Sequence, residues 1–451
     1  MYNKSFTVNI SNQIKPYKKN ICVDSDKSIS IRSFIIGAIS LNVSKVNNVL
    51  ESEDVFSCIN CLKKFGIKIL KNKAKQYLIY GKGLGSLQIR KNSSIDFGNS
   101  GTLARLLSGL LSTTPNIKVK IKGDKSLNKR NMLKLINLLS TFGASFYPPK
   151  KNNFPLTLVS SEMPIGINYE AGVSAQLKSA AILAGLNSFG TTNIFEREKS
   201  RDHTENMLLQ NHDVLKIKKN IRKQNCIKIL GKKQLKPINI NVPADPSSAA
   251  FFTALTLINS NTFLKIRNVG LNPRRIGFYN LLKKCGAKIQ FKNKKKLNNE
   301  FVGDIVVKSS KLKPLRADSK YYTSSTDEYP ILFVIAALTK GVSIFKGISD
   351  LANKESNRIE EMKKIFKQIG IKCKSKKDEM KIYGNNKVLK NNKKIKVGNL
   401  GDHRICMSSV ILALSTGIKA EIRNFETVKT SSPSFLKIIK SLGGKFEIKK
   451  I

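Results

Sequence analysis

The chain has 451 residues, 41% of them apolar and 25% charged, with 28 Gly and 13 Pro. That length and apolar content can bury two or three compact cores, which excludes a wholly disordered chain. Lys plus Arg number 81 against 30 Asp plus Glu, a formal net charge of +51. The basic residues nevertheless recur with Asn along the whole chain (KKNNFP, KKNIRKQN, FKNKKKLNNE, LKNNKKIK) and do not form the single arm or stripe of a dedicated nucleic-acid binder.

Seven cysteines, at 22, 58, 61, 226, 285, 373 and 406, show no regular pairing and suit a reducing compartment. Cys58 and Cys61 form one C-x-x-C, but no second Cys or His pair stands at metal spacing, and both fall in an apolar helical pattern. They are expected to be core thiols. No run of 18 apolar residues occurs, and the N-terminus has neither an apolar signal segment nor an amphipathic presequence. A soluble, cytoplasmic protein is expected.

In chain order, two segment types alternate. DKSISIR opens a helix near Ser28, and Lys27, Ser28 and Arg32 can gather round a phosphate or carboxylate at its start. CINCLKKFGIKIL then reads as a helix closed by Gly66 and followed by a strand. DFGNSGTLARLLSGLL brings Gly98, Asn99, Gly101, Thr102 and Arg105, a turn whose glycines let backbone N–H groups approach a ligand. It lacks the Lys of a P-loop, so nucleotide hydrolysis is not indicated. GDKSLNKRNM contributes Arg130 ahead of MLKLINLLSTFGASF, another helix closed by a glycine, Gly143. VSAQLKSAA supplies Ser174, Ala175 and Gln176, and EKSRDHTENM supplies Arg201, Asp202 and His203 before a degraded helix-to-strand copy near Asp213. VPADPSSAAFF opens the next helix near Ser247, and FYNLLKKCGAKIQF closes at Gly286. TDEYPILFVIAAL carries Asp327 and Glu328; KESNRIEEM carries Lys354, Glu355 and Arg358 ahead of Gly370. GDHRICM carries Asp402, His403 and Arg404, and FLKIIKSLGGKFEI closes the series at Gly443.

The small-residue helices start near Ser28, Gly101, Ser174, Ser247, Asp327 and His403, at intervals of 73, 73, 73, 80 and 76 residues. Six α/β units follow, which group as three plus three with a boundary near Val242 to Ser248. Helices rich in Ala, Ser and Gly pack closely, so these six are expected at the centres of two lobes. A helix start offers free N–H groups and partial positive charge, so converging starts would make an anion site.

Taken together, DKSISIR, GNSGT with Arg105, GD-x-SL-x-x-R, SAQLKSA, SRDHTE, VP-x-DPSSAAFF, NP-x-R-x-G, DEYP, KES-x-RI, DHRI-x-M and TS-x-P-x-F stand in one order. The chain thereby resembles the 5-enolpyruvylshikimate-3-phosphate synthase (3-phosphoshikimate 1-carboxyvinyltransferase) family from about Cys22 onward, and the SAQ, SRDHTE and DEYP wording resembles its second class. The resemblance implies an α/β fold of two lobes, each of three βαββαβ repeats (an inside-out α/β barrel), with the active-site cleft between them. It places residues 24–242 in one lobe and residues 1–23 with 243–451 in the other.

The implied reaction transfers the enolpyruvyl group of phosphoenolpyruvate to the 5-hydroxyl of shikimate 3-phosphate and releases phosphate. By motif, shikimate 3-phosphate falls to Lys27, Ser28, Arg32, Ser174, Ala175, Gln176, Arg201, Asp327 and Lys354. Phosphoenolpyruvate falls to Lys27, Gly101, Arg130, Arg358 and Arg404, with Lys429 added although it stands one residue further from its Pro than in some members. Asp327, Glu355 and Lys27 are the implied catalytic residues. No metal or organic cofactor is implied, and the expected partners are the two small substrates, with no membrane, no specific nucleic acid and a monomeric chain. The sequence departs from the family pattern at Asp24-Ser25, Asn131, Ala244 and Asn357. Two rivals are the sister transferase acting on UDP-N-acetylglucosamine, whose loop Cys has no counterpart between Cys61 and Cys226, and a polyanion-binding protein on a decayed enzyme fold.

Overall fold

Six four-stranded mixed sheets, six buried helices and a second set of shorter or partly exposed helices form the described part of the protein, a computed structural model that describes residues 5–211, 213–219, 224–385 and 393–450. Parts of two Lys/Asn runs, at 220–223 and 386–392, lie outside the described residues. The chain divides into two compact units. The first comprises Ser25–Val242 and Lys296–Glu300; the second comprises the chain up to Asp24, Pro243–Lys295 and the chain from Phe301 on.

The six small-residue helices of the sequence are Lys27–Ile39, Gly101–Leu111 and Ala175–Asn187 in the first unit, and Pro246–Ile258, Tyr329–Ala337 and His403–Thr416 in the second. Nearly every residue of each is buried, polar ones such as Arg32, Lys178 and Arg404 included, so none of the six turns a polar stripe to solvent. Small side chains allow the close approach. A Cβ on Gly109 would lie 2.7 Å from the Cα of Ala180, so the second and third helices of the first unit touch backbone to backbone there.

Within a unit the same order recurs. Strand Ser94–Asp96, helix Gly101–Leu111, strand Lys118–Lys122, helix Leu133–Ser140 and strands Ser145–Tyr147 and Leu156–Val159 give one complete repeat. Its first two strands pair in parallel and the rest antiparallel. The repeat is therefore βαβαββ, and the βαββαβ order expected from the sequence is corrected: one strand separates the two helices, and a hairpin closes the unit. Strand alternation sets the outer face. In Lys118–Lys122, Val119 and Ile121 point inward while all three lysines are exposed, which is where part of the large positive charge resides.

Three repeats borrow a strand from a distant part of the chain. Asn239–Asn241 pairs in parallel with Val43–Asn47 and supplies the opening strand of the first repeat. Lys18–Ile21 does the same for Phe263–Gly270, and Phe6–Ile10 inserts antiparallel between Lys419–Ile422 and Glu447–Lys450 to complete the last sheet. These exchanges anchor the N-terminal residues in the second unit. The second helix of five repeats ends as the sequence indicates, at Gly66, Gly143, Gly286, Gly370 and Gly443, each with φ between 76° and 94°. In the third repeat that helix is only His203–Leu208 and has no such glycine. Each unit holds its own apolar core, and Cys58 and Cys61 lie in that of the first.

Candidate active site

In the first unit the three helix starts are capped by their own residues. Asp26 accepts from Ile29 N at 2.8 Å, Ser100 from Leu103 N at 3.3 Å, and Ser174 from Leu177 N at 3.4 Å. Side chains then tie one start to another. Arg32, buried on the first helix, donates from Nη1 to the Ser28 hydroxyl (2.8 Å), from Nη2 to Ser179 Oγ (3.0 Å) and from Nε to Thr204 Oγ1 (2.9 Å). Arg105 donates to Gln176 Oε1 at 3.0 Å, and Gln176 donates in turn to Thr102 Oγ1 at 3.0 Å. Arg130 reaches Asn99 Oδ1 at 2.6 Å. A Cβ on Gly101 would stand 2.8 Å from Nη1 of both Arg105 and Arg130, so two guanidinium groups close on one glycine. Lys27 lies 2.9 Å from Asp54 Oδ2, a buried carboxylate on the Glu53–Lys64 helix. Arg201, between Ser200 and the His203–Leu208 helix, completes the cations expected on this unit.

In the second unit Arg358, 1% exposed, is the centre. Its Nε lies 2.9 Å from Asp402 Oδ2 and its Nη2 2.5 Å from Glu355 Oε2. Burial would lower its pKa, but Asp402 and Glu355, with Asp327 adding to their field, raise it above the ordinary arginine value. Asp402 is also the N-cap of the His403–Thr416 helix, accepting from Arg404 N at 2.9 Å, and takes the Ser356 hydroxyl at 2.9 Å. Arg404 is 5% exposed, and its guanidinium sits over the Phe251 ring at 5.9 Å. Its Nε and Nη1, like Nη1 of Arg358, are buried and make no hydrogen bond among the described residues.

Lys354 pairs with Asp350 at 2.5 Å, and Asp350 also accepts from Tyr322 OH at 2.7 Å. Burial first, then Asp350 and more weakly Asp327, push the Tyr322 phenol well up, so it stays protonated. Lys429, in the Phe425–Thr430 turn, has its ammonium 5.5 Å from the Phe6 ring centre. The Asp24 departure has a role of its own: its carboxylate accepts from Ser432 Oγ and Ser434 N at 3.2 and 2.9 Å, holding the TS-x-P segment.

The sequence singled out the helix starts but not several partners. Asp54, Ser179, Thr204, Asp350 and Tyr322 were missed. Asp350, four residues before Lys354, carried a local signal for an ion pair. Asp54, far from Lys27 in the chain, carried none. No group of three or more His, Cys, Asp or Glu able to hold a metal occurs among the described residues, and no described helix is long and apolar enough to cross a membrane.

Known proteins are similar to this chain across almost its whole length. Residues 11–439 match the family described as EPSP synthase (3-phosphoshikimate 1-carboxyvinyltransferase). The 3-phosphoshikimate 1-carboxyvinyltransferase of Zymomonas mobilis is 37% identical over 97% of this chain and 97% of its own length. That of Petrotoga mobilis is 38% identical over 94% of this chain and 96% of its own. A solved EPSP synthase from Acinetobacter baumannii superposes with a TM-score of 0.84 at 33% identity, covering 98% of this chain and all of that one. Six repeats in two units, helix starts crowded with Arg and Lys, and full-length similarity lead to one conclusion: the chain belongs to the EPSP synthase family and has the enolpyruvyl transferase fold.

Proposed function

We propose that this chain transfers the enolpyruvyl group of phosphoenolpyruvate to the 5-hydroxyl of shikimate 3-phosphate, releasing phosphate, and that both residue sets described above serve that one reaction. Two buried guanidinium groups carry the reading. Arg404 and Arg358 keep three N–H-bearing nitrogens out of water and without partners among the described residues, and Arg358 is paired with the carboxylate of Glu355. Buried cationic donors left unpaired are costly, and an anion offsets that cost. A carboxylate and a phosphate on one small molecule fit two forked guanidinium groups.

Phosphoenolpyruvate is held by Lys27, Gly101, Arg130, Arg358 and Arg404, with Lys429 as an added cation. Shikimate 3-phosphate is held by Lys27, Ser28, Arg32, Ser174, Ala175, Gln176, Arg201, Asp327 and Lys354. Asp327 takes the 5-hydroxyl proton as that oxygen bonds to C2 of the enolpyruvate, while Glu355 protonates the methylene carbon. Loss of phosphate from the resulting tetrahedral adduct breaks its C–O bond, and Glu355 takes a methyl proton back, restoring the double bond. Lys27 assists the proton transfers. Arg358 faces the charge that leaves with phosphate and holds Glu355 in place through their ion pair.

The SAQ, SRDHTE and DEYP segments support the second class of the family. The lobes are taken as residues 24–242 and residues 1–23 with 243–451, which differ from the two compact units only at Asp24 and at Lys296–Glu300. The protein is proposed to act as a cytoplasmic monomer without a specific nucleic-acid partner; the spread of its lysines over separate sheets, such as Lys118–Lys122 and Lys372–Lys376, supports the last point. The test is phosphate release on mixing the purified chain with both substrates, repeated with each omitted. Release only in the complete mixture is expected; none in the complete mixture refutes the reading.

A further inference from the structure

Lys178, in the SAQLKSA segment, is fully buried on the Ala175–Asn187 helix, with its Nζ 2.8 Å from Glu196 Oε1 and 2.6 Å from Glu205 Oε1. Glu196 ends the strand Thr191–Glu196 and Glu205 lies on the His203–Leu208 helix, so one ammonium joins three elements of the third repeat. Glu196 also accepts from Ser200 N at 3.1 Å, Ser200 Oγ at 3.0 Å and Asn225 Nδ2 at 3.0 Å. Burial disfavours the charge on Lys178, but Glu205 and Glu196 more than offset it, and its pKa is raised.

The neighbours of this triad hold or adjoin proposed substrate contacts. Ser179 follows Lys178 and Thr204 precedes Glu205; their hydroxyls bond to each other at 2.8 Å and together receive two nitrogens of Arg32. Ser200, fixed by Glu196, precedes Arg201. Gln176 stands two residues before Lys178 on the same helix. Apolar side chains of similar volume would pack these elements at least as tightly, so a buried ion triad is a poor source of stability. What it adds is direction: each carboxylate oxygen must sit where the ammonium can reach it, and this sets the spacing of the two helices and the Ser200 turn.

We infer that Lys178, Glu196 and Glu205 are positioning residues that set Arg32, Gln176 and Arg201 for the phosphorylated cyclic acid-alcohol substrate, and that the enolpyruvyl donor's site, which they reach through the Gln176–Arg105 hydrogen bond, is affected far less. The inference rests on the proposed function and concerns which substrate each element serves. Arg32 is held beside the triad by the Ser179 and Thr204 hydroxyls, so a small shift of either helix misaims its fork, and misplacement of a binding group by about 1 Å can cost up to roughly 100-fold.

The experiment compares full-length wild type with Lys178→Met and Glu205→Gln by phosphate-release kinetics, varying each substrate in turn, with calorimetric binding of shikimate 3-phosphate alongside. Lys178→Met should raise the KM and Kd for shikimate 3-phosphate about 10-fold or more, with kcat and the KM for phosphoenolpyruvate changed less than about 3-fold. Glu205→Gln, which keeps the shape and one acceptor, should show the same split at smaller size and decides the matter where Lys178→Met does not fold. The inference is overturned where folded variants lose only thermal stability, where both KM values rise together, or where neither variant folds. Wild type that releases no phosphate from the complete mixture refutes the function first, and this inference with it, before any substitution is compared.

Discussion

Arg358 Nη2, at the first residue of its helix, lies 2.5 Å from Oε2 of Glu355 in the bend three residues before it, so the proposed proton carrier is tied to the cation proposed to hold phosphoenolpyruvate. The pair gives the carboxylate a fixed direction. Arg358 keeps Asp402 as a second partner at 2.9 Å, so loss of the Glu355 charge does not strand it. Glu355→Gln should therefore fold normally, bind both substrates within a few-fold of wild type, and lose roughly 100-fold or more in kcat. Steady-state phosphate release checks this; near-normal turnover would remove Glu355 from the chemistry.

Asp402 behaves differently because it serves several groups at once. It caps the His403–Thr416 helix, pairs with buried Arg358 and receives Ser356. Asp402→Ala leaves a buried guanidinium with one carboxylate and an uncapped helix, a change worth about 3–5 kcal/mol of stability. Urea denaturation should show that loss, together with a raised KM for phosphoenolpyruvate. A loss below about 1 kcal/mol would contradict the part assigned to this carboxylate.

At Gly101 the expectation is steric. A methyl group there meets Nη1 of Arg105 and of Arg130 at 2.8 Å, and both guanidinium ends must move. Gly101→Ala should raise the KM for phosphoenolpyruvate about 10-fold or more and leave the circular dichroism spectrum and the melting temperature close to wild type. An unchanged KM would mean that the two arginines yield without cost.

The Glu196 carboxyl has an acid signature. Burial raises its pKa, but Lys178, Ser200 and Asn225 favour the charged form and leave it below its ordinary value of 4.5. Its contribution is thus present above 4.5 and is lost as pH falls through the lower folded value. In a melting-temperature series from pH 7 to pH 3, the gap between wild type and Glu196→Gln should shrink as the pH falls. A gap that stays constant or widens is the contrary result.

The C-x-x-C pair offers a chemical check on the core reading. Burial pushes the Cys58 thiol well up and that of Cys61 to about 12, whereas Cys22 is exposed. Iodoacetamide at pH 8 should label Cys22 in the native protein and reach Cys58 and Cys61 only after unfolding, read by peptide mass. Rapid native labelling of the pair would place them outside the core.

Much of the fold was legible because its signals are local. Asp26, Ser100, Ser174 and Asp402 cap their helices through residues two or three positions on, and Gly66, Gly143, Gly286, Gly370 and Gly443 adopt the left-handed conformation that ends a helix. The repeat length and the cation-rich helix starts follow from such features. Strand order did not, because Phe6–Ile10, Lys18–Ile21 and Asn239–Asn241 complete sheets with strands far away in the chain, and pairing across that distance leaves no mark in either segment.

By itself the sequence determined six α/β units, their capped helix starts and a family resemblance, since capping, periodicity and motif order are all properties of neighbouring residues. Only the tertiary structure decided which partner each cation meets: Lys178 meets Glu196 and Glu205, Arg358 meets Asp402, Lys27 meets Asp54, and Arg32 meets the Ser179 and Thr204 hydroxyls. The physical reason is that a buried charge is tolerable only beside its partner, and the partner is chosen by helix packing in three dimensions, not by distance along the chain.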